Sequence, residues 1–458
     1  MEKSVNMEKL VAHCKNMGII FPGSEIYGGL ANSWDYGPVG VELKNNIRTM
    51  WWKKFVQESE NTQGLDSAIL MNPKVWEASG HLASFTDPLM DCKECRTRHR
   101  ADKLIDIFSK NSVNVDLMDN IEMEKYIIQN KIPCPKCGKS NFTPIRQFNL
   151  MFETNRGVTK ESSSIIYLRP ETAQGEFVNF LNVQRSLRLK IPFGIAQVGK
   201  AFRNEITPGN FTFRTIEFEQ MEHQWFCKKG TDEEFYEFYK QLSMDFLSGL
   251  GIPKTKLRYK DHDKLAHYAK SACDVQYKFM MGWDEINGIH NRTDYDLSRH
   301  QQFSGKSMEY LDPISNEKFI PYIIEASYGL DRIVLAILDN AYNIETLEDG
   351  SEREILKINS EIAPYKVAVL PLIKKNHSEK AKQIYSLLCK RFRAIYDDTG
   401  SIGKRYRRED AIGTPFCLTV DDNTLSNDTV TIRERDTMQQ VTLKIDEVKN
   451  YIEDKMQF

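Results

Sequence analysis

Two stretches of this chain bring arginine, glutamate and phenylalanine together at spacings suited to nucleotide chemistry. Phe193-Gly-Ile-Ala-Gln-Val-Gly-Lys-Ala-Phe-Arg-Asn-Glu205 predicts a strand, Thr207-Pro-Gly-Asn210 a turn, and Phe213 to Phe226 a returning strand. Side chains alternate between the faces of a strand. Gln197, Arg203 and Glu205 should therefore share one face, with Ala196, Val198 and Phe202 on the other. On the return strand, Phe218, Gln220 and Glu222 lie opposite Glu217, Glu219 and Met221. A guanidinium can grip a phosphate through two hydrogen bonds, and a phenyl ring offers a flat platform for a purine. Taken alone, the hairpin fits either a solvated ribbon laced with ion pairs or a nucleotide-binding face. In the second stretch, Lys318 to Leu338, an apolar strand ends near Glu325, Gly329 permits a tight turn, and Leu330 to Leu338 reads as a buried helix. Helix N-termini attract anions, and Arg332 adds a full positive charge in the first turn. Two such arginines on separate strand-and-turn units point to a nucleoside triphosphate site.

Cysteine spacing suggests a second chemistry. Cys92-Lys-Glu-Cys95 and Cys134-Pro-Lys-Cys137 are CxxC pairs of the zinc-knuckle type, although the gap between them exceeds the usual separation of roughly 15 to 20 residues. Four thiolates would close the coordination sphere, so a Zn²⁺ held there would fold its segment and do no chemistry. A cluster of reduced thiols is the alternative. Cys14, Cys227, Cys273, Cys389 and Cys417 have no partners by spacing and read as buried thiols, and histidines such as His262 and His267 read as surface or core residues.

These groups need elements to position them. Residues 18–40 are rich in Gly, Pro and aromatics, which predicts turns and short strands. From Val41 to Val56 a helix is predicted, with Leu43, Ile47, Met50, Trp51 and Phe55 inward and Lys44, Lys53 and Lys54 on the wet side. It is either a core helix or one lying in a subunit interface. Residues 91–150 read as an inserted module bounded by the cysteine pairs, and 230–312 as a second, polar, helix-then-strand insertion. Composition changes between Ser351 and Pro364. A strand at Tyr365 to Leu370, a helix around Ile384 to Phe392 and strands between Asp421 and Ile445 then predict a C-terminal α/β domain over 361–458, after a core over 1–360. Composition removes other classes. The chain has 458 residues, 41% apolar and 28% charged, with a net charge of -2, which excludes long disorder and a general polycation. No apolar run approaches the roughly 18 residues of a membrane span, and charges within Met1 to Ile20 argue against a signal peptide. Nine cysteines, an odd number, fit a reducing compartment, so a cytoplasmic location is expected.

Phe202-Arg-Asn-Glu205 followed by Phe218, and Gly329-Leu-Asp-Arg332, resemble motifs 2 and 3 of class II aminoacyl-tRNA synthetases. Tyr36-Gly-Pro-Val-Gly40 with the helix after it sits where motif 1, the dimer-interface element, would lie. Trp34-Asp-Tyr-Gly-Pro38, Leu168-Arg-Pro-Glu-Thr-Ala-Gln-Gly175, Ile206-Thr-Pro-Gly-Asn210 and Glu217-Phe-Glu-Gln-Met-Glu222 are similar to the dimeric bacterial type of glycyl-tRNA synthetase, from about Gly18 to the C-terminus. The resemblance implies an α+β fold: an antiparallel-sheet catalytic core with inserted modules, plus a C-terminal α/β anticodon-binding domain. It also implies a homodimer that uses ATP with Mg²⁺ to make glycyl-adenylate and then charges tRNA(Gly).

By the same resemblance, Arg203 and Arg332 would be the catalytic arginines on the α- and γ-phosphates, and Phe218 would stack on adenine. The ATP site would further include Asn204, Glu205, Phe213, Arg214, Thr215, Ile216, Glu217, Glu285, Ile286, Gly329, Leu330 and Asp331, with Arg292 a weaker candidate. Such chemistry needs positioning and charge neutralisation more than a protein nucleophile. Glycine has no side chain to grip, so selectivity must come from steric rejection of larger amino acids, a methylene being worth only about 1–3 kcal/mol. Glu171, Glu222, Glu325 and Ser327 would line its pocket together with Phe218, Glu219, Gln220 and Met221, and Arg100 is a candidate for its carboxylate.

The C-terminal stretch Lys390 to Arg408 carries seven basic residues against Asp397 and Asp398. Within it Lys404, Arg405, Arg407 and Arg408 interleave with Tyr406, a pattern suited to tRNA phosphates and base stacking, with Arg433 and Arg435 weaker candidates. A noncatalytic RNA-binding protein on the same scaffold would be expected to lack Arg203, Arg332 and the glutamates. A ligase serving another carrier would not need the C-terminal domain.

Overall fold

The computed structural model describes residues 6–456 except 111, 158–163, 207–208, 264 and 267. Its centre is a sheet built from β1 (Thr62–Gly64), β2 (Phe193–Phe202), β3 (Glu217–Cys227), β4 (Leu257–Asp261), β5 (Ser271–Phe279), β6 (Gly282–Thr293) and β7 (Tyr322–Gly329). The strands lie in the order β4-β5-β6-β7-β3-β2-β1, antiparallel throughout except for the β1–β2 pair. The expected hairpin is β2 with β3, which set Gln197 opposite Glu222. β2 ends at Phe202, so Arg203 and Glu205 lie beyond the strand, where alternation no longer governs them. Thr207 and Pro208 of the expected turn lie outside the described residues. The segment 230–312, expected as an insertion, supplies two α-helices and three of the seven sheet strands, and so is continuous with the core sheet.

Helices cover one face of this sheet. α1 (Pro38–Trp52) begins with proline at its first position, where the missing N–H costs nothing, and runs on through a π turn over Lys53–Gln57. Gly40 is required by the close crossing of α1 over residue 19: a Cβ there would collide with the Ile19 carbonyl. Trp51 and Phe55 are fully buried against Tyr328 of β7, and Phe55 also meets Phe246 of α2 (Asp232–Gly249). Burial of each such ring is worth about 1.5–3 kcal/mol. α3 (Leu330–Ala341) has ten of its twelve residues buried, Asp331 and Asp339 among them. Trp52, by contrast, is exposed.

Lys44, expected on the wet side of α1, is only 6% exposed. Its ammonium lies 2.8 Å from Asp331 and 3.0 Å from Glu219. Asp331 also accepts from the Tyr36 hydroxyl at 2.7 Å and the Glu219 N–H at 2.7 Å. One carboxylate thus joins α1, β3 and the first turn of α3.

The cysteine-bounded segment forms a module of its own. Strands Thr86–Asp91, Arg98–Arg100 and Arg146–Asn149 pair antiparallel, and helices Ala101–Ser109 and Asn120–Gln129 pack on a separate small core including Leu104, Ile105, Met123 and Ile127. At the C-terminal end, β8 (Val367–Pro371), β9 (Ala394–Tyr396), β10 (Phe416–Val420), β11 (Thr429–Glu434) and β12 (Gln440–Lys444) lie in the order β9-β8-β10-β11-β12. The β9–β8 and β8–β10 pairs are parallel and the others antiparallel. α4 (Lys374–Leu388), α5 (Ile402–Ile412) and α6 (Val448–Lys455) accompany this sheet. Among the described residues, no helix is long and apolar enough to cross a membrane.

Candidate active site

The face of the sheet away from α1 carries the polar residues. Directly paired residues share a face, so one row runs Gln197, Glu222, Ser327, Gly288 across β2, β3, β7 and β6. The next row runs Gln224, Glu325, His290 across β3, β7 and β6. The alternate residues of β3 and β7, such as Met221 and Tyr328, point into the helix-covered core.

Above the first row opens a cavity lined by Arg203, Glu205, Phe213, Arg214, Thr215, Phe218, Glu285, Gly329, Asp331 and Arg332, with Thr212, Glu219, Gln220 and Ser327. Of the three arginines in its walls, Arg203 and Arg332 are held by carbonyls and rings. The Arg203 guanidinium sits 5.2 Å from the rings of both Phe85 and Phe218, and its Nε donates to the Pro170 carbonyl at 3.1 Å. Burial lowers its pKa, against the pull of Glu171 and Glu205. Arg332 lies 4.3 Å over the Phe213 ring and donates to the Glu285 carbonyl at 3.0 Å and its carboxylate at 3.1 Å. Glu205 is held by Arg214 at 3.3 Å.

Some of the residues expected at the nucleotide turn their side chains elsewhere. Ile286 and Leu330 are buried on the core side. Glu217 points outward and pairs with Lys200. Asn204 and Ile216 do not line the cavity; their backbone N–H groups bond the Leu150 and Asn32 carbonyls. Asp331 is committed to Lys44, Tyr36 and the Glu219 N–H.

Beside the cavity, past Ser327 and Gln220, three carboxylates converge. Glu222 is 2% exposed and accepts from the Thr172 hydroxyl. Burial, with Glu325 and then Glu171 nearby, pushes it up to about 8. Burial also acts on Glu325, but Arg292 and His290 hold it down to about 2. The Arg292 Nη1 is 3.1 Å from both Glu325 oxygens, and the His290 Nδ1 lies at 2.7 Å. Glu171, 3.4 Å from His81 and 3.0 Å from Gln174, sits below the ordinary range for a glutamate, the two side chains and Arg292 overcoming its burial. The pocket therefore combines one carboxyl poised near neutrality with two that stay ionised.

Glu219 and Met221, expected in the same pocket, send their side chains to the opposite face, Glu219 to Lys44 and Arg48 and Met221 into the core, because β3 is regular there. Arg100 is taken up by Asp87 at 3.0 Å and Asp102 at 2.7 Å, and lies nearer Gly209 and Arg214 than the glutamates' row. Sequence spacing did not single out Thr172, His81, His290, Gln224 or Asp296. Arg292, the weak candidate, proves to be clamped by Asp296 and Glu325 because it is the extra residue where the β6–β7 register slips between Asn291 and Thr293.

Residues 152–341 match the family described as the tRNA synthetase class II core domain (G, H, P, S and T), and residues 366–455 the anticodon binding domain. Over 458 residues, 99% of each chain, the sequence is 59% identical to a protein named glycine–tRNA ligase from Clostridium kluyveri. It is 58% identical to that of Clostridium acetobutylicum over the full length of both chains, and 56% identical to that of Geobacillus kaustophilus over 99% of this chain and all of the relative. The chain belongs to the glycine–tRNA ligase family. As a member of that family it has the class II core and anticodon-binding units in an α+β fold.

Two further groups can be placed within this glycine–tRNA ligase fold. Cys92, Cys95, Cys134 and Cys137 bring their sulfurs within 4.8 Å of one another, and the Cys92–Cys137 and Cys95–Cys134 separations are both 3.6 Å. A tetrahedral Zn²⁺ with bonds of about 2.3 Å needs sulfurs about 3.8 Å apart, so the four thiols fit the metal. Of the cysteines expected as buried thiols, Cys14, Cys227, Cys273 and Cys417 are buried, but Cys389, at the end of α4, is exposed.

The last part of the basic C-terminal stretch, from Ile402, lies on helix α5, and its cations divide. Lys404 is exposed, and Arg407 and Arg408 keep 42% and 43% of their side chains in solvent. Arg405 is 3% exposed and donates to the carbonyls of Pro371, Asp398 and Gly400. Tyr406 is half-buried, its hydroxyl 2.6 Å from Thr419 and its ring 4.9 Å from the Arg433 guanidinium. Arg433 and Arg435 are likewise buried, on Asp410 and on the Gly413 and Ile358 carbonyls. Arg405 lies on the inner face of its helix, where it caps carbonyl groups. His267 lies outside the described residues.

Proposed function

We propose that this protein activates glycine with ATP to glycyl-adenylate and transfers the glycyl group to the 3′ end of tRNA(Gly). The observation that carries the reading is the junction of the arginine-and-phenylalanine cavity with the three-glutamate pocket through Ser327 and Gln220. Family membership supports the same activity.

In this reading adenine lies against Phe218, and Arg203 and Arg332 neutralise the α- and γ-phosphates. A glycine carboxylate oxygen attacks the α-phosphorus, the bond to the bridging oxygen breaks, and pyrophosphate leaves with that electron pair. The arginines stabilise charge that grows on the phosphates; removing one such donor typically costs about 2.7–4 kcal/mol of barrier. Glu171, Glu222 and Glu325 receive the glycine ammonium, while Arg292 and His290 fix Glu325. Glu285 and Glu205 supply the oxygen ligands that suit Mg²⁺, whose charge would offset the triphosphate. The four cysteines hold a structural Zn²⁺. Residues 361–458 act as the tRNA-reading unit, with Lys404, Arg407 and Arg408 as phosphate contacts. Two copies pair through the surface around α1, and the enzyme works in the cytoplasm.

The test is glycine-dependent ATP–pyrophosphate exchange followed by charging of tRNA(Gly). Arg203→Ala should lower exchange at least a hundredfold without lowering the melting temperature. Exchange that ignores glycine, or proceeds without charging, would overturn the reading.

A further inference from the structure

We propose that His262, Asp274 and His290 form a second metal site, distinct from the four cysteines, that takes a borderline divalent cation of the Zn²⁺ or Co²⁺ class. The three ligand atoms lie within 4.8 Å of one another.

The sheet assembles them from three neighbouring strands. His262 follows β4, and its N–H donates to the Ala272 carbonyl at 3.1 Å, while Ala272 pairs with His290. The two imidazoles therefore flank one alanine, whose methyl leaves room between them, and their rings approach to 5.7 Å edge to face. Asp274, two residues along β5 from Ala272, returns to the same face. Its carboxylate is 2.8 Å from the His262 Nε2.

The strongest indication is the hydrogen bond behind His290. Its Nδ1 sits 2.7 Å from the buried Glu325 carboxylate, whose two oxygens also accept from the Arg292 guanidinium. A proton on Nδ1, donated to that carboxylate, leaves the Nε2 lone pair for a metal. Metal-binding histidines are oriented by a carboxylate in this same way. Gly288 keeps the space in front open: a Cβ there would lie 3.6 Å from both the His290 Nε2 and the Glu285 Oε1. Zinc bonds of about 2.0–2.2 Å require ligand atoms roughly 3.2–3.5 Å apart, a closure that side-chain torsions can supply. The His262 side chain is 32% exposed, and those of Asp274 and His290 are each 16% exposed, so an ion can enter and keep a water. Two imidazoles, one carboxylate and an open position suit Zn²⁺ or Co²⁺ better than Mg²⁺ or Ca²⁺, which favour all-oxygen shells.

The experiment titrates Co²⁺ into the zinc-loaded full-length protein by calorimetry and visible spectroscopy. The expected result is one further equivalent with weak d–d bands and no sulfur-to-cobalt charge-transfer band. His262→Ala and Asp274→Asn should each weaken that equivalent at least tenfold while leaving the cysteine-bound zinc in place. Two variants, one at a partly exposed side chain and one nearly isosteric, guard against a fold defect, which loss of the bound zinc would reveal. No further equivalent in the parent protein, or equal affinity in parent and both variants, would overturn the proposal.

Discussion

Glu222→Gln isolates the carboxyl that is poised near neutrality in the glutamate pocket. Glu222 is pushed up to about 8, first by burial and then by Glu325 and Glu171. At pH 7 only about a tenth of it is ionised, and each unit below 8 costs about 1.4 kcal/mol to draw the proton off when an ammonium arrives. The ionised form grows as pH rises, so glycine binding should tighten with pH. Between pH 6 and pH 8 the ionised fraction climbs from about 1% to about 50%, and the KM for glycine should fall about 50-fold. The glutamine variant has nothing to titrate, so its profile should lose this dependence. At pH 8 its KM should exceed the parent's by about 10- to 150-fold, the worth of a charged hydrogen bond at about 1.5–3 kcal/mol. The KM for ATP should stay within about threefold. Stability moves the other way. A glutamate raised in the folded state loses stabilising effect as pH climbs from its ordinary value, near 4.5, towards 8. The variant should therefore melt no lower than the parent at pH 8. The assay is ATP–pyrophosphate exchange at saturating ATP across that range, paired with thermal melts. A parental glycine KM that is flat from pH 6 to 8, or one unchanged by the substitution, would refute the reasoning.

Other perturbations separate structural from binding roles. Lys44→Ala leaves Asp331 and Glu219 without their buried cation and should cost about 3–5 kcal/mol in denaturant unfolding. Arg405→Ala should lower the melting temperature through the freed Pro371, Asp398 and Gly400 carbonyls. Lys404→Ala or Arg407→Ala should leave the melt unchanged and reduce the salt slope of tRNA affinity by about one. Cys134→Ser should remove zinc by metal analysis and open the module around 86–149 to protease, while the C-terminal sheet stays resistant.

Local patterns carried much of the site. The alternation along β3 placed Phe218, Gln220 and Glu222 on one face, and the Gly329-to-Arg332 turn and the CxxC pairs were readable because each is specified by a few neighbouring residues. What sequence could not show depends on partners far along the chain. Lys44 looks like a solvent-facing lysine until Asp331, 287 residues away, is placed beside it. Arg405 looks like a nucleic-acid contact until its helix turns it against three carbonyl groups. The register slip beside Arg292 and the three strands within 230–312 are likewise tertiary facts, since pairing in a sheet is chosen by packing and not by propensity alone.

The carboxylate of Asp331, shared among the Tyr36 hydroxyl, the Lys44 ammonium and the Glu219 N–H, makes one unit of groups far apart in the chain. Loss of Lys44 strands two carboxylates in the interior, and loss of Asp331 leaves the Tyr36 hydroxyl and the Glu219 N–H without their acceptor. Lys44, Glu219 and Asp331 are thus energetically coupled across most of the catalytic unit, and Arg332, the next residue in the chain, takes its place in the cavity wall from the turn they anchor.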